Sequence, residues 1–137
     1  MPGAWKPPSP GDIVWCHFPE LPETTPGPKP RPALVTAVTT HEDGTVVHVA
    51  YGTSQRVDRL KSGEFSILKA REPGAFALAG LALDTKFELK AIVELPWAAQ
   101  FFKIAPRAPH GATPKLGTLH PSLMRAAKAA HDAAASR

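Results

Sequence analysis

Ten of the sixteen prolines in this 137-residue chain fall within its first 32 residues. Proline fixes φ and lacks a backbone donor, so it stops helices and is excluded from the interior of sheets. Residues 19–30 (PELPETTPGPKP) are therefore expected to form one long, exposed and fairly stiff loop. Residues 1–10, with four prolines, read as a disordered Pro-rich leader without the apolar centre of a signal peptide. What remains, residues 11–137, is enough for a single domain that buries roughly two-thirds of its unfolded-chain surface. No apolar run approaches the roughly 20 residues of a membrane span, and a cytoplasmic protein is expected. The single cysteine, Cys16, excludes a disulfide framework and a four-cysteine zinc site.

Beyond the loop, short strand signals recur. Residues 12–18 (DIVWCHF) are apolar, aromatic and β-branched, and residues 32–40 (PALVTAVTT) and 45–51 (TVVHVAY) flank the turn-like His41-Glu42-Asp43-Gly44. The last two are expected to pair as a hairpin with a four-residue connection. Residues 64–69 alternate, residues 87–95 suit a strand or a short helix, and residues 75–83 are ambiguous. Residues 96–117 read as irregular. Pro121 in a first-turn position and the alanines after it predict a helix over 119–136, with Leu119, Leu123, Met124, Ala127 and Ala130 near one face. The expected fold is mainly β, a small and strongly curved barrel with a C-terminal helix.

The formal charge of +4 is unevenly placed. Residues 96–137 carry six Lys/Arg against one acid, whereas residues 1–95 carry ten against eleven. The basic excess belongs to the C-terminal part, either as a solvated helix face with basic loop residues or as a surface for a polyanion or an acidic protein.

Three segments in order carry chemistry: Gly11-Asp12-Ile13-Val14-Trp15, then Arg31-Pro32-Ala33-Leu34-Val35, then Tyr51-Gly52-Thr53-Ser54-Gln55. Their order and spacing resemble the MazF/PemK toxins of bacterial toxin–antitoxin systems over residues 11–95, and again in the final helix. The resemblance implies an SH3-like barrel, a homodimer, and metal-independent, cofactor-free cleavage of single-stranded RNA. The 2′-hydroxyl would attack the adjacent phosphorus, leaving a 2′,3′-cyclic phosphate. It also implies restraint by an acidic antitoxin protein. Carried over by motif position, the catalytic pair is Arg31 and Thr53.

Independent physics supports Arg31, because a residue between two prolines is held extended and its guanidinium fork suits a phosphoryl group. The rival reading of Arg31 is a strand-edge surface arginine, and of Thr53 a strand-end residue with a local turn bond. Gly52 is expected to let a nucleic-acid backbone approach closely. Lys29, Ser54 and Gln55 are candidate RNA contacts, and Trp97 is the best base-stacking candidate. Asp84 matches an acid of the family, supporting RNA binding or pairing with Lys86. The family pattern is interrupted at Thr25, where some members have a histidine, at Ala82, and at Phe87, where an arginine is common. Those departures motivate an alternative: a catalytically silent SH3-like module that binds RNA or peptide. The six histidines form no H-E-x-x-H or Cys/His cluster, so no metal site is expected. His17 and His48 read as structural histidines, Cys16 and Trp15 as core, and Trp5 as part of the leader.

Overall fold

A computed structural model describes residues 5–135. Six strands form one antiparallel sheet: β1 (Asp12–Cys16), β2 (Arg31–His41), β3 (Gly44–Thr53), β4 (Glu64–Ile67), β5 (Thr85–Pro96) and β6 (Lys115–Thr118), in the order β4-β5-β3-β2-β1-β6. A short helix α1 (Pro73–Leu78) follows β4, and a 3-10 turn (Pro121–Leu123) leads into helix α2 (Met124–Ala135). The chain is mainly β with a C-terminal helix, and β4 and β6 are the two edges of the sheet.

Both faces of the sheet are covered, which explains why β1 after Asp12 reads as an apolar run, Ile13 to Cys16, rather than an alternation. On one face Ile13, Leu34, Ala50, Phe65, Phe87 and Leu89 pack with Phe76 of α1 and with Leu123 and Ala130 at the C-terminal end. On the other, Val14, Ala33, Val35, Val49, Phe101 and Phe102 form a second cluster. The expected apolar face of the final helix is correct except at Met124, which is 55% exposed.

Several expectations change. The β2–β3 connection has two residues, Glu42-Asp43, because His41 and Gly44 themselves form the last pair of the ladder, with Gly44 at φ 139°. The ambiguous 75–83 region supplies α1, started by Pro73 in its first turn. Residues 87–95 belong to a strand. The segment expected to be irregular, 96–117, ends in β6, a four-residue strand (KLGT) whose pairing with β1 no local pattern announces.

The leader is not loose where it is described. Trp5 packs edge-on against Trp97 (centroids 5.8 Å apart), and the Trp97 indole N–H donates to the Lys6 carbonyl. Residues 1–4 lie outside the described residues, as do residues 136–137. The Pro-rich loop is exposed over residues 20–26 and 28–29, while Pro19 at its start is buried and Gly27 is buried against the end of the first strand's run. There the Gly27 N–H donates to the His17 carbonyl, and His17 Nδ1 donates back to the Gly27 carbonyl at 2.9 Å. The histidine is structural, as its place in the sequence suggests. Among the described residues no helix is long and apolar enough to cross a membrane.

Candidate functional site

The register of the sheet places the site. Ala33 faces Tyr51, and Leu34 faces Ala50, so the start of β2 lies alongside the end of β3. Arg31 and Thr53 thus share one end of the β2–β3 ladder. Between them Gly52 is buried, and a Cβ there would collide with the Pro32 carbonyl and the Phe87 ring. What approaches Gly52 is therefore the neighbouring strand, which corrects its assignment to nucleic-acid contact.

Side chains alternate across β5. Phe87 is fully buried and tilts against Phe65 with centroids 5.6 Å apart, whereas Lys86 and Glu88 point to the opposite face. The cross-strand rows on that face are Thr53–Lys86–Ser66 and Tyr51–Glu88–Glu64. Phe87, where the MazF/PemK resemblance leads one to expect an arginine, thus belongs to the core.

Arg31 is half-buried, and its guanidinium carbon lies 5.7 Å from the centroid of the Tyr51 ring. That contact is a cation–π geometry which leaves the guanidinium edge available. An open cleft of about 220 Å³ is lined by Lys29, Arg31, Tyr51, Glu88, Phe18 and Ala91. A neighbouring hollow is lined by Thr53, Gln55, Arg56, Arg59, Lys61 and Lys86, with Tyr51 and Glu88 forming its boundary with the cleft. On another side Arg31 lines a pocket with Trp15, Ser54, Leu83, Thr85 and Arg107.

Arg31 and Thr53 therefore belong to adjoining spaces rather than one. Thr53 is 5% exposed, and its hydroxyl oxygen accepts from the Gln55 N–H at 3.1 Å. That is the local turn bond weighed against a catalytic role, and it leaves the hydroxyl proton free for donation.

Lys29 and Ser54 each border Arg31, and Gln55 borders Thr53. Asp84 does not pair with Lys86. Its carboxylate accepts from the Lys69 N–H at 2.8 Å, and it sits with Leu83 and Phe76 in a separate depression. Trp97 is committed to structure, its ring packed against both Trp5 and Phe102 and its N–H already bonded. Trp15 is half-buried instead of fully buried, and it faces the Arg31 pocket. Cys16 has no exposed surface, and burial pushes its thiol up to about 12, which excludes a thiolate nucleophile at neutral pH.

The sequence reading missed Tyr51, Glu88, Arg56 and Arg59 as site residues. Arg56 takes a left-handed conformation (φ 52°), and with Arg59 and Lys61 it surrounds the hollow with cations. The near neutrality of residues 1–95 concealed this local excess, because acids such as Glu42 and Asp43 lie in the distant β2–β3 turn.

Lys86 and Glu64 form a buried ion pair at 2.8 Å, their side chains 5% and 10% exposed. Burial pushes the Glu64 carboxyl upward, but hydrogen bonds from Lys86 and the Lys61 N–H, with the charges of both lysines, bring it below its ordinary value. Stability from this carboxylate is therefore present above its unfolded-state pKa and is lost as pH falls through the lower folded-state value. Lys86→Met should destabilise the protein by about 1–3 kcal/mol at pH 7, since it leaves the partly buried Glu64 carboxylate with only the Lys61 N–H. The difference between wild type and variant should shrink as the pH is lowered through that range. Urea unfolding midpoints at several pH values check both.

Among the described residues no cluster of three His, Cys, Asp or Glu side chains is placed to hold a metal ion. No family model matches the chain, and no curated protein matches it.

Proposed function

We propose that the protein is a metal-independent endoribonuclease of the MazF/PemK kind, a homodimeric SH3-like barrel acting on single-stranded RNA and held inactive by an acidic antitoxin. The observation that carries this reading is the meeting of Arg31, at the start of β2, with the end of β3, where the Arg31 cleft adjoins a hollow lined by Arg56, Arg59, Lys61 and Lys86. In this reading the Arg31 fork neutralises the phosphoryl oxygens as negative charge develops on them. Lys29, Arg56 and Arg59 meet flanking phosphates, and Thr53 donates its hydroxyl proton to a phosphate oxygen. The substrate supplies its own nucleophile, the 2′-hydroxyl.

Incubating the purified protein with a mixed-sequence single-stranded RNA in excess EDTA should give fragments ending in a 2′,3′-cyclic phosphate and beginning with a 5′-hydroxyl. Intact RNA across a range of protein concentrations would overturn the reading. A second reading rests on the separation of Arg31 and Thr53 into adjoining spaces. It makes the same surface a binding module without turnover, and it predicts salt-dependent RNA retention with no cyclic-phosphate product.

A further inference from the structure

We propose that Glu88 is the general base of the cleavage step, taking the proton of the attacking 2′-hydroxyl. This inference rests on the endoribonuclease reading and adds a residue which the resemblance does not supply.

The geometry begins with an irregularity in β5. Tyr51 pairs with Glu88, but its neighbour Ala50 pairs with Ile92, so residues 89–91 have no partner on β3. Bulges of this kind bend a strand and re-aim its side chains. Here the Leu89 N–H continues the β4 register to the Gly63 carbonyl at 2.8 Å and the Leu89 side chain enters the core, while Glu88 and Ala91 both line the Arg31 cleft. Glu88 also lines the hollow that holds Thr53. It is the carboxylate shared by the two spaces that separate the expected catalytic pair.

A base at this boundary faces the phosphate-binding arginine on one side and the threonine on the other. The Tyr51 ring, directly across the ladder from Glu88, already fixes Arg31. No hydrogen bond or ion pair of the Glu88 carboxylate occurs among the described residues, so its oxygens remain available to a substrate proton. Glu64 across the ladder on β4 is consumed by Lys86.

The step balances without a co-reactant. The 2′-oxygen forms its bond to phosphorus as its proton passes to Glu88, and the bond from phosphorus to the 5′-oxygen breaks with its electron pair on that oxygen. The leaving oxygen takes a proton from water, and Glu88 returns its own to solvent.

The electrostatics strengthen Glu88 as a base. Burial pushes the Glu88 carboxyl up and the charge of Glu64 adds to this, opposed by Lys86 and Lys61. The other charged groups facing it are Arg31 and Lys29 across the cleft, with Glu20 on the Pro-rich loop, and Arg56 and Arg59 across the hollow.

Single-turnover cleavage of a mixed-sequence single-stranded RNA by wild type, Glu88→Gln and Glu88→Asp, measured from pH 4.5 to 9 with RNA binding by anisotropy, tests the proposal. The wild-type rate should rise with pH and level off above the carboxylate's pKa. Glu88→Gln should lose about 100-fold or more at the plateau, together with the acidic limb, while RNA affinity stays within about threefold. Glu88→Asp should keep the limb at an intermediate rate, which a purely structural role would not produce. A Glu88→Gln protein retaining both rate and limb overturns the assignment and leaves the endoribonuclease reading standing. A wild type that never cleaves RNA overturns both.

Discussion

Arg31→Ala should reduce the single-turnover rate of RNA cleavage by about 100- to 1,000-fold, the usual cost of removing one preorganised donor from a developing oxyanion. Circular dichroism should be unchanged, because among the described residues the guanidinium makes no ion pair or hydrogen bond and its contact is the Tyr51 ring. Pro30 and Pro32 set the backbone on either side, so alanine at 31 keeps the same extended strand start. Arg31→Lys should restore only part of the lost rate, since an ammonium supplies charge without the bidentate fork. Loss of turnover should exceed loss of binding, because Lys29, Arg56 and Arg59 continue to hold flanking phosphates. A variant cleaving within about threefold of wild type would remove Arg31 from the chemistry.

The largest stability effect is expected at Phe87. It is wholly buried, packs against Phe65, and lies between Lys86 and Glu88 on the strand that carries the proposed base. Phe87→Ala should cost about 3–5 kcal/mol through lost transfer energy and the cavity left behind. Thermal denaturation should register this as a fall of about 10 °C or more in Tm. Phe87→Arg should be worse still, because the charge would enter an apolar core lined by Leu34, Ala50 and Leu89. An arginine variant that folds normally would show that this stretch of β5 can rotate, and would undo the facing assigned to Glu88.

Much of the architecture was legible because it is local. The β2–β3 hairpin shows itself by two Val/Thr-rich runs flanking a turn, and the terminal helix by Pro121 and the alanines after it. Arg31 stood out for a local reason too, the two prolines that bracket it. What escaped depends on contacts between distant residues. β6 is four residues with a glycine, and only β1 makes it a strand. Trp97 looked like a stacking platform because its partner Trp5 sits in a stretch that composition alone marks as a leader. Asp84 and Lys86 have the spacing of a same-face pair, yet Asp84 accepts from the Lys69 N–H beyond the end of β4 while Lys86 pairs with Glu64 on β4. Glu88 was invisible for the most instructive reason. Strand alternation tells which face a residue takes, but not that the register slips beside it and turns that face into the wall of a cleft.

The pairing of β6 with β1 sets Asp12 against Thr118, and this has a consequence for biosynthesis. At ordinary elongation rates of about 5–20 residues per second, the first strand waits about 5–20 s for its outer neighbour to be made. During that interval Ile13 and Val14 sit at an open sheet edge, the kind of template that recruits other strands. Arg31, Thr53 and Glu88 have all been synthesised by then, so the proposed catalytic groups precede the strand that seals the sheet beside them. The nascent chain is therefore most exposed to aggregation, or to capture by a partner, at a stage when its cleft residues already exist.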